Sequence, residues 1–196
     1  MTTVKSLCVY CGSSIGNHPE YAHLARAFGT EMAGRGMTLV YGGGNVGLMG
    51  AVADAVLAGG GRVIGVIPRQ LLEREVAHTG LTELQVVETM HQRKTRMFEL
   101  SDGFVALPGG FGTLDEMFEM LTWAQLGLHD YPCAFVDIRG YYGKLQGMME
   151  HMVNEGFVRE PQQKRLWFGH DIAALFDWIE SLPDAHKPAA IERSGV

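Results

Sequence analysis

The sequence predicts an α/β fold, a single Rossmann-like domain whose parallel sheet carries helices on both faces. Three observations lead there. Short continuous apolar runs alternate with helical patterns, which is how strands buried on both faces read. Glycine, 26 of 196 residues, collects at the ends of those runs rather than in a linker. The length itself suits one compact domain better than two.

Leu7 to Tyr10 is the first buried run, and Cys11-Gly12-Ser13-Ser14 turns the chain. Pro19 opens a helix bearing Tyr21, Leu24, Ala25, Phe28 and Met32, which Gly34 and Gly36 end. Thr38 to Tyr41 is the second strand, Gly42 to Asn45 a turn, and Val46 to Ala58 a helix closed by three glycines. Arg62 to Ile67 is the third strand, stopped by Pro68. After a less regular stretch come a strand at Leu84 to Val87, a helix at Met90 to Leu100 and a strand at Phe104 to Leu107. A helix at Leu114 to Leu126, a strand at Cys133 to Val136, and helices at Tyr141 to Asn154 and Asp171 to Leu182 complete the pattern. The domain is expected over residues 1–182, with a polar C-terminal tail over 183–196.

Composition narrows the function classes. With 46% hydrophobic and 19% charged residues, the chain can bury a sizeable core, which excludes low-complexity disorder. Its net charge of −6 and lack of a basic run argue against nucleic acid as a partner. No apolar stretch approaches a membrane span, and Met-Thr-Thr-Val-Lys-Ser lacks a secretory core, so a cytoplasmic protein with no membrane partner is expected. Three cysteines are too few and odd in number for a disulfide framework. Cys8 and Cys11 form C-x-x-C, but positions three apart on a strand face opposite sides, so neither a bridge nor a metal pair is expected. The scattered histidines add no ligand spacing, and no metal site is predicted.

In such sheets ligands bind beyond the carboxyl ends of the strands, where glycine turns and helix N-termini present N–H groups to anions. Gly42-Gly43-Gly44-Asn45-Val46-Gly47 fits G-x-G-x-x-G between a strand and a helix. That allows an NAD(P)-binding oxidoreductase. The acidic residue that should hold the ribose about 20 residues on is absent, which favours a tight structural turn or a mononucleotide site. Pro108-Gly109-Gly110-Phe111-Gly112-Thr113 is a second glycine loop in the same context, without the Gly-Lys-Ser/Thr of a P-loop. Two such loops in one sheet point to a phosphorylated ligand, with Ser13, Gly43, Gly44 and Gly109 as candidate phosphate or base contacts.

Two helices carry the reactive candidates. Thr113 and Glu116 have capping-box spacing. On a helical wheel Leu114, Met117, Phe118, Leu121 and Ala124 share one face, while Glu116, Glu119, Thr122 and Trp123 share another that would overlook the ligand. In the helix at 90–100, Arg93 and Lys94 fall inside the apolar arc of Met90, Met97, Phe98 and Leu100. A charge there must be paired, so an anion is expected nearby, the ligand phosphate or the Glu116 carboxylate, unless the side chains snorkel or make an ordinary ion pair.

Pro108-Gly109-Gly110-Phe111-Gly112-Thr113-Leu114-Asp115-Glu116 resembles the P-G-G-x-G-T-x-x-E motif of the Lonely Guy (LOG) family, cytokinin riboside 5′-monophosphate phosphoribohydrolases. The resemblance extends through Cys8 to Ser14, Tyr41 to Gly44, Gly47 to Gly50, Met90 to Lys94 and Thr122 to Gly127. It implies hydrolysis of the N-glycosidic bond of a nucleoside monophosphate, AMP or an N6-modified (cytokinin) riboside monophosphate, to free base and ribose 5-phosphate. No metal or cofactor is implied. By the same resemblance Arg93 and Glu116 are catalytic, and Glu75, Lys94, Gly110, Phe111, Gly112, Thr113, Leu114, Asp115 and Thr122 bind substrate. A homodimer with sites near the interface is implied too, and Trp123 would suit a partner surface, a stacking platform or partial burial within its own subunit. Relatives are also labelled lysine decarboxylases, but only Lys94 of five lysines lies near a site and nothing marks it as a Schiff base. A non-catalytic nucleotide sensor of the same fold is the main rival.

Overall fold

The computed structural model describes residues 4–72, 76–159 and 165–185. Seven strands and six helices run in the order β1 (Ser6–Tyr10), α1 (Pro19–Gly34), β2 (Thr38–Tyr41), α2 (Gly47–Ala58), β3 (Val63–Pro68), β4 (Glu83–Val87), α3 (Met90–Glu99), β5 (Phe104–Ala106), α4 (Phe111–Gln125), β6 (Cys133–Val136), α5 (Gly143–Asn154), β7 (Leu166–Gly169) and α6 (Ile172–Ser181). A short 3₁₀ turn, Arg69–Leu71, follows β3. All the strands are parallel, in the order β4-β3-β2-β1-β5-β6-β7. The α/β Rossmann-like prediction is borne out.

The strand sequence alternates between two cores. Leu7, Val9 and Cys11 face a cluster built with Phe28 and Met32 of α1, Val52 and Val56 of α2, and Phe176 and Ile179 of α6. Cys8 and Tyr10 face the opposite cluster, with Met97 and Phe98 of α3, Met117 and Met120 of α4, and the flanks of α5. Cys8 and Cys11 therefore sit on opposite faces as buried free thiols, alongside Cys133. Burial holds all three well above the ordinary thiol range, because a thiolate would lose its hydration there.

Strand order reverses at β1, which lies between β2 and β5. That is the switch point at which open α/β sheets form their ligand crevice. Local signals stop and start the helices around it. Thr89 caps α3 by accepting from Gln92 N at 3.1 Å, and Asp171 caps α6 by accepting from Ala174 N at 3.1 Å.

Four expectations change. Strand β7 was not anticipated. Helix α4 starts at Phe111 with Gly110 as its N-cap, so Thr113 lies inside the first turn and the capping-box reading with Glu116 fails. The buried stripe of α4 is Thr113, Met117 and Met120, rotated from the predicted face, and Leu114 and Phe118 lie at its edge. Helix α5 begins at Gly143, which leaves Tyr141 and Tyr142 in the preceding turn. Of the expected polar tail, residues 186–196 lie outside the described residues.

Candidate functional site

A cleft of about 310 Å³ opens at the switch point, lined by the β1–α1 loop (Gly12 to Gly16), Tyr21, Leu48, Pro108 to Gly110 and Tyr141. Three loops meet there. Gly12 N donates to Pro108 O at 3.0 Å, and Leu48 N donates to Gly12 O at 2.9 Å, so the turns after β1, β2 and β5 are laced together. Ser13 and Gly109 line the cleft with Gly110, which opens α4. The first N–H groups of a helix have no partner within it, so this end of α4 suits an anion. Phe111 and Thr122 are exposed on α4, whereas Thr113 is buried with its side chain against Gly109.

Gly43 and Gly44 do not line this cleft. They are buried under a short strap in which His78 N donates to Gly43 O at 3.0 Å, Asn45 N donates to Val76 O at 2.9 Å, and Ala77 bridges Gly44. The His78 ring holds the strap, with Nε2 2.9 Å from Asp54 on α2 and Nδ1 accepting from Gly80 N at 3.0 Å. Sequence reasoning missed this strap. Glu75, expected to bind substrate, lies outside the described residues.

Arg93 is only 5% exposed, as its place on an apolar arc foretold. Its Nη2 donates to Gly42 O at 3.1 Å. A Cβ on Gly42 would overlap that nitrogen, so the glycine makes room for the guanidinium. Of the alternatives open for Lys94, the ordinary ion pair is the one found, rather than a contact with Glu116. Its Nζ lies 3.0 Å from Asp115 and 3.4 Å from Glu119, carboxylates one turn apart on α4. Burial works against its charge, but the Asp115 hydrogen bond and the Glu119 carboxylate outweigh it and hold the ammonium above the usual lysine range. Lys94 thus braces α3 against α4 and sets the spacing between Arg93 and Glu116.

Glu116 is half-buried in the second turn of α4. Beyond the dominant effect of burial, its charge raises the thiols of Cys8, within β1, and Cys11, just past it, and the phenol of Tyr10 at the strand's last residue. Arg93 acts on the same Cys8 thiol in the opposite sense. Arg93 thus reaches the carboxyl end of β2 through Gly42, and Glu116 stands in the second turn of α4, the helix that opens on the cleft after β5, so the two helices bring these groups to the carboxyl side of the sheet on either side of β1. Trp123 is half-buried, edge-on to Phe98 with ring centroids 5.0 Å apart, and so packs within its own subunit.

Behind the second glycine loop, two adjacent tyrosines hold its carbonyls. Tyr142 donates its hydroxyl to Leu107 O at 2.7 Å, and Tyr141 donates to Gly109 O. No helix or strand pattern could have shown them. The pair of tyrosines after Arg139-Gly140, a turn signal, was the one available hint.

Among the described residues, no group of acidic, histidine and cysteine side chains could hold a metal ion, and no helix is long and apolar enough to cross a membrane.

Comparison with known proteins agrees with this layout. The family model described as "Possible lysine decarboxylase" matches residues 49–179. The chain is 43% identical to the cytokinin riboside 5′-monophosphate phosphoribohydrolase LOG1 of Arabidopsis thaliana, over 97% of this chain and 89% of that one. It is 47% identical to the cytokinin riboside 5′-monophosphate phosphoribohydrolase of Rhodococcoides fascians, over 91% of each. Among solved structures, the molybdenum cofactor carrier protein of Chlamydomonas reinhardtii shares the fold with a TM-score of 0.68 at 16% identity, covering 90% of this chain and 96% of that one.

Proposed function

The chain belongs to the cytokinin riboside 5′-monophosphate phosphoribohydrolase family, and from that premise we propose that it hydrolyses the N-glycosidic bond of a nucleoside 5′-monophosphate. The substrate class is AMP or an N6-modified adenine riboside monophosphate, and the products are the free base and ribose 5-phosphate. One observation carries the reading: Arg93 of α3 is buried with its guanidinium on the Gly42 carbonyl, where β2 has ended, and Glu116 stands in the second turn of α4, whose open N-terminus lines the cleft.

The 5′-phosphate sits against the amides of Gly110, Phe111 and Gly112, with Ser13 and Gly109 across the cleft. Glycosidic cleavage passes through an oxocarbenium-like state, which the Glu116 carboxylate stabilises while it orients or deprotonates the attacking water. Arg93, held by the Gly42 carbonyl, neutralises charge developing on the departing base. A guanidinium is too weak an acid to give up its proton, so its contribution is electrostatic. Asp115 and Lys94 are engaged with each other, so they set the site's shape as they bind. Decarboxylation of lysine fits poorly. A Schiff-base lysine must lose its proton, whereas Lys94 is held above the usual lysine range.

Exposed Phe111 and Leu126, on and just beyond α4, support a homodimer built on this helix, which elution near twice 21.5 kDa would test. The buried free thiols suit a reducing cytoplasmic compartment.

The deciding experiment incubates the protein with AMP and with isopentenyladenosine 5′-monophosphate at neutral pH without added metal. Base and ribose 5-phosphate are resolved by chromatography beside a Glu116→Ala control. Release by the wild type alone establishes the reaction. No release, with AMP still raising the melting temperature, identifies a nucleotide sensor instead. Glu116→Gln should keep the fold and lower turnover roughly 10²–10⁴-fold, the worth of a general acid–base group.

A further inference from the structure

The turn between β6 and α5 is a rigid platform aimed at the second glycine loop. Arg139 and Gly140 both adopt left-handed backbone, φ 61° and 70°. Tyr142 N donates to Asp137 Oδ1 at 3.0 Å, and Arg139 Nη1 lies 2.7 Å from Glu20 on α1. The Tyr141 ring stands edge-on to Tyr21, with centroids 5.8 Å apart, and forms one wall of the cleft. From this platform two hydroxyls reach two carbonyls of one loop, Tyr142 to Leu107 and Tyr141 to Gly109.

Those two bonds differ in what lies at the far end of the peptide. In a trans peptide the C=O and N–H point in opposite directions, so holding one aims the other. The Leu107 carbonyl belongs to a peptide with Pro108 and has no N–H to aim. The Gly109 carbonyl belongs to a peptide with Gly110, whose N–H opens α4 on the cleft. With glycine on both sides, that peptide has wide freedom to rotate, and a half-turn would present an oxygen to the anion instead of a hydrogen. Packing restrains this peptide on one side only: Thr113 and Gly12 press on Gly109, whereas a Cβ on Gly110 would meet nothing within 4 Å.

We propose that Tyr141 is a positioning residue for the substrate phosphate: its hydroxyl anchors the Gly109–Gly110 peptide and so directs the Gly110 amide at the anion. Tyr142 anchors the strand end and has no such role. The inference rests on the phosphate-binding reading above and adds a residue to it.

The test uses Tyr141→Phe and Tyr142→Phe, both of which keep the ring. For Tyr141→Phe, KM for the nucleoside monophosphate should rise about tenfold, the worth of roughly one hydrogen bond, with kcat within about twofold. Calorimetry should show ribose 5-phosphate binding weakened by about the same factor and adenine binding unchanged. Tyr142→Phe should melt roughly 2–10 °C lower, because it strands a buried carbonyl, while its ribose 5-phosphate affinity stays at the wild-type value. Unchanged ribose 5-phosphate binding in Tyr141→Phe would overturn the proposal. So would an equal loss of adenine and ribose 5-phosphate accompanied by a lower melting temperature, since that is the mark of a merely structural tyrosine. If the wild type releases no base yet Tyr141→Phe still weakens ribose 5-phosphate, the reaction fails and the positioning role stands.

Discussion

The loops after β2 and after β5 are written alike, glycine-rich and set between a buried strand and a helix, yet they serve opposite ends. The first is closed. Gly42 to Gly44 are buried, the strap at 76–78 pairs with them, and Gly47 presses on the Ser13 backbone. The second is open. A Cβ on Gly110 or Gly112 would meet nothing within 4 Å, and Phe111 between them is 94% exposed. A glycine can thus be required by the neighbours already present or by a ligand yet to arrive. What a methyl group would strike tells the two apart.

Substituting within the closed loop should give the largest effects. Gly47 has φ 64°, where an L-residue costs about 1–2 kcal/mol, and its Cβ would also overlap the Ser13 carbonyl group and Ser14 N. The atoms struck are backbone of the β1–α1 loop, which the other turns hold in place, so Gly47→Ala should lose more than about 3 kcal/mol, read as a fall in the denaturation midpoint. Gly42→Ala strikes a side chain rather than backbone, so the fold survives and Arg93 is displaced. Turnover should drop roughly 10²–10³-fold, the scale of removing one preorganised donor, with the melting temperature less affected than in Gly47→Ala. An Arg93-dependent activity that survives Gly42→Ala would break the link between this loop and catalysis.

The strap ranks next. His78→Ala removes a ring that meets Asp54 and accepts from Gly80 N. Loss of partly buried hydrogen bonds at both ring nitrogens should cost about 1–3 kcal/mol, with KM and kcat following the displaced Gly42 carbonyl. A second histidine gives a pH signature outside both loops. Burial holds His129 below the usual histidine value of 6.5, as it donates to Met120 O and accepts from Tyr131 N. The unfolded chain therefore binds its proton first as pH falls. Stability should be full above about pH 6.5 and decline as pH drops toward the folded value, more shallowly in His129→Gln.

Most of the fold was legible because parallel strands buried on both faces announce themselves as apolar runs. β7 escaped because Leu166 to Gly169 form an edge strand, half-buried, with large aromatics that fit several patterns. The face of α4 was misjudged because Met120 and Thr113, not Leu114 and Phe118, meet the sheet, and the crossing angle that decides this is absent from a helical wheel. At the site, Arg93 was readable as a charge on an apolar arc. The partners of Lys94, the strap and the two tyrosines were not, since Tyr141 meets a carbonyl 32 residues away and Tyr142 one 35 residues away. Local pattern names the residues that must be satisfied. Tertiary packing chooses what satisfies them.

The smallest expected change in stability is the sharpest form of the comparison. Gly110→Ala adds a methyl group at φ −97°, a value any L-residue adopts, in open space. Alanine is a poorer N-cap than glycine by a few tenths of a kcal/mol to about 1, and it stiffens the unfolded chain by about 0.4–1 kcal/mol in the other direction. The two nearly cancel, so the denaturation midpoint should hold within about 1 kcal/mol of the wild type. Yet the methyl sits on the cleft at the amide proposed to meet the phosphate, and on that proposal ribose 5-phosphate affinity should fall while adenine binding does not. Gly47→Ala should show the reverse order, stability first. If Gly110→Ala instead destabilises as strongly as Gly47→Ala, the open loop is held by packing rather than by its ligand, and the distinction between the two loops collapses.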